Sequence, residues 1–221
     1  DAQESRGLGD VYKRQPLPWV YSPSAFKKAQ EPIPLAEALE KEALPEFPRA
    51  LGTLVHYAIA RHLDPENEGA MAGLLLQEVA FPFAEEEKRR LLEEVRDLLR
   101  RYRGMLGTHL APLEAREEDH AELPLVLPLG GTVWYGVLDR LYRVGGRWYL
   151  EDYKTDHEVR PEVYRFQLAI YRRALLEAWG VEAEARLVYL RPQRLHAFTP
   201  GELEEALRAL EKSPGEAPGA G

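Results

Sequence analysis

The stretch YGVLDRLYRVGGRWYLEDYKTD, residues 135–156, decides the fold. Aromatic and branched residues flank Gly145-Gly146, and Gly-Gly between two such runs signals a two-residue hairpin. Two strands are expected, Thr132 to Val144 and Arg147 to Lys154. A tight turn at the glycines sets the register. Val144 then faces Arg147, Tyr142 faces Tyr149 and Arg140 faces Glu151, which are favourable cross-strand neighbours. The same count puts Asp139 directly across from Asp152.

Directly opposed residues hold their Cβ atoms about 4.5–5.5 Å apart, and like charges there are destabilising. Two facing carboxylates therefore require a protonated member or a cation between them. Lys154 lies two residues beyond Asp152 and projects from the same face. Two acids and a lysine on one face fit cleavage of a phosphodiester. A divalent ion on the acids binds the scissile phosphate and lowers the pKa of a bound water. The lysine orients that water or offsets charge developing on the phosphoryl oxygens. A bare D-x-K alone fits a solvated strand end with a surface lysine better; Asp139 across the turn brings the metal reading level with it. Glu151 is expected to partner Arg140 on the opposite face, and Asp156 to be solvated where the strand gives way to a loop.

Around the hairpin, helical periodicity marks Pro48 to Leu63, with Leu51, Val55 and Ile59 as its apolar stripe, and Glu85 to Tyr102. Ala121 to Leu129 is a strand interrupted by prolines, hence an edge strand. Pro161 to Trp179 is a helix closed by Gly180. A strand at Ala183 to Leu190 and a helix at Glu202 to Leu210 follow. Helices, then strands, then a helix and a strand give an α/β or α+β domain with a small mixed sheet. Within the first helix, Gly52 costs about 1 kcal/mol relative to alanine, which suggests close approach of a backbone or ligand near His56. Gln167 and Tyr171, four apart, share one helix face. Taken alone, His56 reads more simply as an ordinary helix histidine, and Gln167 and Tyr171 as polar residues at the edge of the core.

The chain of 221 residues, 45% hydrophobic and 30% charged, suits one soluble globular domain able to bury a core. No apolar run reaches the length of a membrane span, so no membrane partner is expected, and the composition is compatible with a cytoplasmic location. Residues 1–15 are expected to be a disordered or non-native segment, residues 16–211 a single domain, and residues 212–221 a disordered tail. Pro16 to Pro48 is proline-rich, with a helix start at residues 22–26. There is no cysteine, which excludes disulfides, thiolate zinc sites, iron–sulfur clusters and cysteine nucleophiles. A net charge of −8 argues against a general nucleic-acid coat. The distribution is uneven: between Arg140 and Arg194, eleven Lys/Arg face eight acids, so the basic charge lies around the hairpin.

Four segments in order, PRALGTLVH (48–56), AELPLVLPL (121–129), the hairpin (135–156) and YRFQLAIY (164–171), together resemble the RecB-type exonuclease branch of the PD-(D/E)xK nuclease superfamily, the nuclease part of RecB and AddAB helicase-nucleases. The pattern is a G-x-x-x-H helix, a G-x-x-D-R strand, a D-Y-K-T strand and a Q-x-x-x-Y helix. The resemblance implies an α/β fold, a restriction-endonuclease-like core with a small mixed sheet flanked by helices. It implies divalent-metal-dependent cleavage of DNA, as single strands or duplex ends, by exonuclease action in repair or recombination. His56, Asp139, Asp152 and the backbone carbonyl of Tyr153 would hold the metal, Lys154 would be the catalytic lysine, and Gln167 and Tyr171 would complete the catalytic site with Asp139 and Asp152. Glu122 matches an acidic position before the hairpin. A histidine beside two carboxylates suits Mn²⁺ as well as Mg²⁺. The four cluster-binding cysteines of some relatives are absent, and no phosphate-cradling G-x-x-x-x-G-K-[ST] loop is present, so a helicase motor would be a separate domain or subunit. Two other classes compete: a catalytically silent module of the same fold that binds DNA or a helicase, and a glycosidase using the paired carboxylates. The intact acid pair with its lysine favours turnover, and the nearby arginines suit phosphate better than sugar.

Overall fold

The computed structural model describes residues 19–21 and 46–212. The expected segment at 1–15, the helix start at 22–26 and nearly all of the expected tail lie outside those residues. Among the described residues, six strands form one mixed sheet: β1 (Trp19–Tyr21), β2 (Glu118–Leu129), β3 (Thr132–Val144), β4 (Arg147–Lys154), β5 (Ala183–Tyr189) and β6 (Arg194–Ala197). Helices α1 (Glu46–Ala60), α2 (Glu68–Leu74), α3 (Glu85–Met105), α4 (Pro161–Trp179) and α5 (Pro200–Lys212) flank it. The strand order is β1-β3-β4-β5-β6, with β2 also on β3; β1–β3 and β4–β5 are parallel and the other pairs antiparallel. This is the expected α/β core. The short elements β1, β6 and α2 carry too few residues to show a period.

Each sheet face carries its own core. On one face α1 and α3 bury Leu51, Leu54, Val55, Leu91, Val95 and Leu98 against Tyr153, Val188 and Leu190. On the other, α4 and α5 bury Leu168, Leu175 and Leu203 against Leu138, Leu141, Leu150 and Leu187. Burying a leucine fully contributes about 1.5–3 kcal/mol, so the sheet is clamped from both sides. A Leu150→Ala change, which empties a fully buried site, would cost about 2–5 kcal/mol. The prolines Pro124 and Pro128 are tolerated because β2 pairs with β3 alone. Helix α4 starts on Pro161 and ends on Gly180 at φ +66, whose N–H meets the Leu175 and Leu176 carbonyls. Helix α1 stops at Ala60, short of the expected Leu63: His62 adopts φ +52, and the Arg140 guanidinium donates to the Ile59 carbonyl at 2.7 Å.

The hairpin register is the expected one for Val144–Arg147, Tyr142–Tyr149 and Arg140–Glu151. Gly145 and Gly146 sit at φ +56 and +74, as a type I′ turn requires. Two details differ. First, Arg140 and Glu151 do not form an ion pair: Arg140 reaches Ile59 and Asp119, while Glu151 accepts from the Tyr142 and Tyr153 hydroxyls at 2.5 and 3.0 Å. Second, the ladder ends at Arg140–Glu151, so Asp139 and Asp152 are not register partners. The cause is a paired irregularity. Leu138 and Leu141 both join the α4-side core, so side-chain alternation shifts between them. Across from Asp139 on β2, Glu122 adopts φ +51 and drops out of the ladder between Ala121–Arg140 and Leu123–Leu138. Because β2 occupies one edge of β3 from Thr132 to Arg143, β1 and β4 share the other edge. A gap opens between them beside Asp139.

Candidate active site

The gap leaves the last residues of β4 without a ladder partner on β3. In a continued ladder, β3 would take the backbone groups of Tyr153. Here the Asp139 Oδ2 accepts from the Tyr153 N–H at 2.7 Å, and His56 Nε2 lies 2.9 Å from the Tyr153 carbonyl. His56 Nδ1 in turn lies 3.1 Å from Asp139 Oδ1. A ring with a carbonyl on one nitrogen and a carboxylate on the other donates to both only when it is protonated. Burial opposes charge on His56, but the Asp139 carboxylate outweighs it, so the imidazole is held above its ordinary pKa. Burial would raise Asp139 as well; His56, Lys154 and the Tyr153 N–H outweigh it and hold the carboxyl below its ordinary value.

The neighbouring side chains of β4 project to the α4 face. Lys154 Nζ forms an ion pair with Asp152 Oδ2 and sits 4.0 Å from the centre of the Tyr164 ring. Gln167 on α4 donates to Asp152 Oδ1 at 2.9 Å and to the Tyr171 hydroxyl at 3.3 Å, while its Oε1 faces Lys154 at 3.5 Å. An acceptor facing the ammonium and an amide donor facing the carboxylate fix the orientation of Gln167. Burial raises the Asp152 carboxyl against the pull of Lys154, and the Asp139 charge adds to the rise. Tyr171 lies so close to β3 that a Cβ at Gly136 would come within 2.6 Å of its ring. Gly136 is thus a site residue that the sequence reading placed only in a motif; its glycine within a strand was the available signal.

The expected residues fall into two connected groups. His56, Asp139 and Tyr153 form one, on the α1 side; Asp152, Lys154, Gln167 and Tyr171 form the other, on the α4 side. The electrostatic influence of Asp139 on Asp152 joins them. Glu122 lines the cleft with Thr53, His56, Val137, Asp139 and Tyr153, a space of about 250 Å³, but its carboxylate pairs with Arg61 at 3.1 Å. Asp156 is exposed, as expected, and accepts from the Tyr164 hydroxyl. Among the described residues Gly52 does not meet a backbone of another element: a Cβ there would find Thr155 Oγ1, at 3.9 Å.

Among the described residues, no three His, Asp or Glu side chains already converge on one point as a metal cage. The donor set nevertheless fits a divalent ion in kind. An imidazole, two carboxylates and a carbonyl suit Mg²⁺ or Mn²⁺. Asp152 Oδ2 is buried with the Lys154 ammonium as its partner, so a bound cation would share or displace that ion pair. No helix is long and apolar enough to cross a membrane among the described residues.

The sequence model of a family described as the PD-(D/E)XK nuclease superfamily matches residues 28–217. Among solved structures, a candidate exonuclease from Eubacterium rectale superposes with a TM-score of 0.60 at 15% identity, over 86% of this chain and 77% of that one. Protein VC1899 from Vibrio cholerae, at 15% identity and a TM-score of 0.32, covers 76% of this chain and 56% of its own. No curated protein sequence matches. The first likeness shows a shared fold; the second is too loose to carry an argument.

Proposed function

Because this chain belongs to the PD-(D/E)XK nuclease superfamily, whose members generally use divalent metal ions, we propose that it is a metal-dependent deoxyribonuclease of the RecB-type exonuclease branch. It would work within, or beside, a helicase-nuclease of repair or recombination, as one domain spanning 16–211. One observation carries the reading: both backbone groups of Tyr153 are held by His56 and Asp139 at the point where Asp152 and Lys154 project from the same strand end.

His56, Asp139, Asp152 and the Tyr153 carbonyl would hold Mg²⁺ or Mn²⁺. When bound, the ion supplies positive charge for the scissile phosphate and acidifies water. The chain's own groups do the rest. Lys154 presents an ammonium to the attacking water or to the phosphoryl oxygens. Gln167 holds Asp152 and Lys154 in register, and Tyr171, wedged over Gly136, pins Gln167. Asp139 fixes both the His56 ring and the end of β4, so it would position the site as well as bind metal.

End-labelled single-stranded and duplex DNA incubated with Mn²⁺, Mg²⁺ or EDTA tests this. Cleavage stopped by EDTA and abolished by Asp152→Ala or Lys154→Ala is expected. Tight DNA binding without cleavage in any metal leaves only the silent module.

A further inference from the structure

From the surface leading out of the cleft, we infer that the substrate enters as a single strand whose bases lie on the exposed face of the β2–β3 ribbon, with Tyr135 as the stacking platform. This rests on the nuclease reading and specifies the form of DNA it takes. Beyond the irregularity at Glu122 and Asp139, β2 and β3 turn one face to α4, and among the described residues the other face carries exposed side chains. Val126 is 54% exposed, Tyr135 47% and Val137 42%. Val126 and Tyr135 are register partners, as are Pro124 and Val137, so the four side chains form one continuous apolar strip. Val137 also lines the cleft beside Asp139 and His56. The strip therefore runs into the candidate site rather than lying elsewhere on the sheet.

The opposite wall of the cleft has different chemistry. Thr53 and His56 line it, and the exposed Arg49 lies one turn before Thr53 on the same face of α1. Gly52 between them carries no side chain, and a Cβ there would crowd nothing closer than 3.9 Å. The cleft thus has a smooth wall with a guanidinium and a hydroxyl, and an apolar floor with one aromatic ring. That pairing is complementary to one nucleic-acid strand: phosphates along α1, unpaired bases on the ribbon. A duplex keeps its bases stacked on each other and offers the strip only sugar and phosphate.

The test uses the full chain, EDTA to prevent turnover, and fluorescence anisotropy with an oligothymidylate about twenty nucleotides long. Base–aromatic stacking is worth about 1–3 kcal/mol, so Tyr135→Ala is expected to weaken binding about 5- to 150-fold. An abasic strand of equal length should bind wild type as weakly as the variant binds oligothymidylate, and Tyr135→Ala should not weaken the abasic strand further. Arg49→Gln should weaken both strands equally and flatten the salt dependence. Oligothymidylate affinity unchanged by Tyr135→Ala, wild type holding the abasic strand as tightly, or no binding of oligothymidylate would each overturn the inference. Adding Mn²⁺ to the same strands judges the nuclease reading separately: cleavage lost in Asp152→Ala upholds it even if Tyr135 proves irrelevant.

Discussion

Glu151 and Asp152 are adjacent acids on opposite faces of one strand, and both are buried, at 0% and 2% exposure. Their surroundings differ in kind. Glu151 sits in a closed network, with Tyr142 and Tyr153 donating to separate oxygens and Arg186 at 4.0 Å. Asp152 has the Gln167 amide on one oxygen and the Lys154 ammonium on the other, with the cleft nearby. A carboxylate fully satisfied by its own fold serves that fold. One held by a lysine ammonium on the same strand end, beside a second carboxylate, has the surroundings of a ligand site.

The comparison breaks first at activity. Asp152→Asn keeps shape but removes charge and turns an amide donor toward Lys154 or Gln167, and is expected to lower cleavage by about 100-fold or more, with a smaller fall in the urea midpoint as Lys154 loses its ion pair. Equal loss of cleavage and of stability would make Asp152 structural, like its neighbour. Glu151→Leu should do the reverse. It strands two buried hydroxyls, at about 1–3 kcal/mol each, and a urea melt should show most of that loss.

A middle-sized effect is expected at Gly136→Ala, where the new methyl meets the Tyr171 ring at 2.6 Å. Overpacking of this kind costs about 1–3 kcal/mol, and the Tyr171→Ala background should recover it in a double-mutant cycle. Failure of that rescue would place the strain elsewhere. Smallest of all, Gly52→Ala should stabilise α1 by up to about 1 kcal/mol, since only Thr155 lies near. A stabilised variant that cleaves poorly would point to substrate along that wall; a destabilised one would contradict the open space described there.

Much of this was legible in the sequence, for local reasons. The Gly145-Gly146 turn, the pairs out to Arg140–Glu151, and helices α1, α3 and α4 follow from turn chemistry and periodicity that each segment carries in itself. The expected site residues lie in two neighbouring groups at the end of β4, but the route by which they approach one another was not legible. Asp139 does not face Asp152 across a ladder; it bonds the Tyr153 N–H where the ladder stops. That stop depends on a shift of alternation at Leu138–Leu141 and on φ +51 at Glu122, a residue with no propensity for such a backbone. The partner of Arg140 was missed because the sequence shows Glu151 across the strand but not the Ile59 carbonyl above it. Gly136 and Gly52 look alike as letters, and only packing separates the crowded one from the open one.

The most direct test of the central claim is metal binding without substrate. Mn²⁺ titrated against wild type and against Asp139→Asn and Asp152→Asn, followed by calorimetry and thermal unfolding, reads the site itself. A single class of Mn²⁺ that raises the wild-type melting temperature, and is lost in both variants, is the expected result. Undiminished Mn²⁺ binding in both variants, or none in the wild type, would contradict a metal centre at the end of β4.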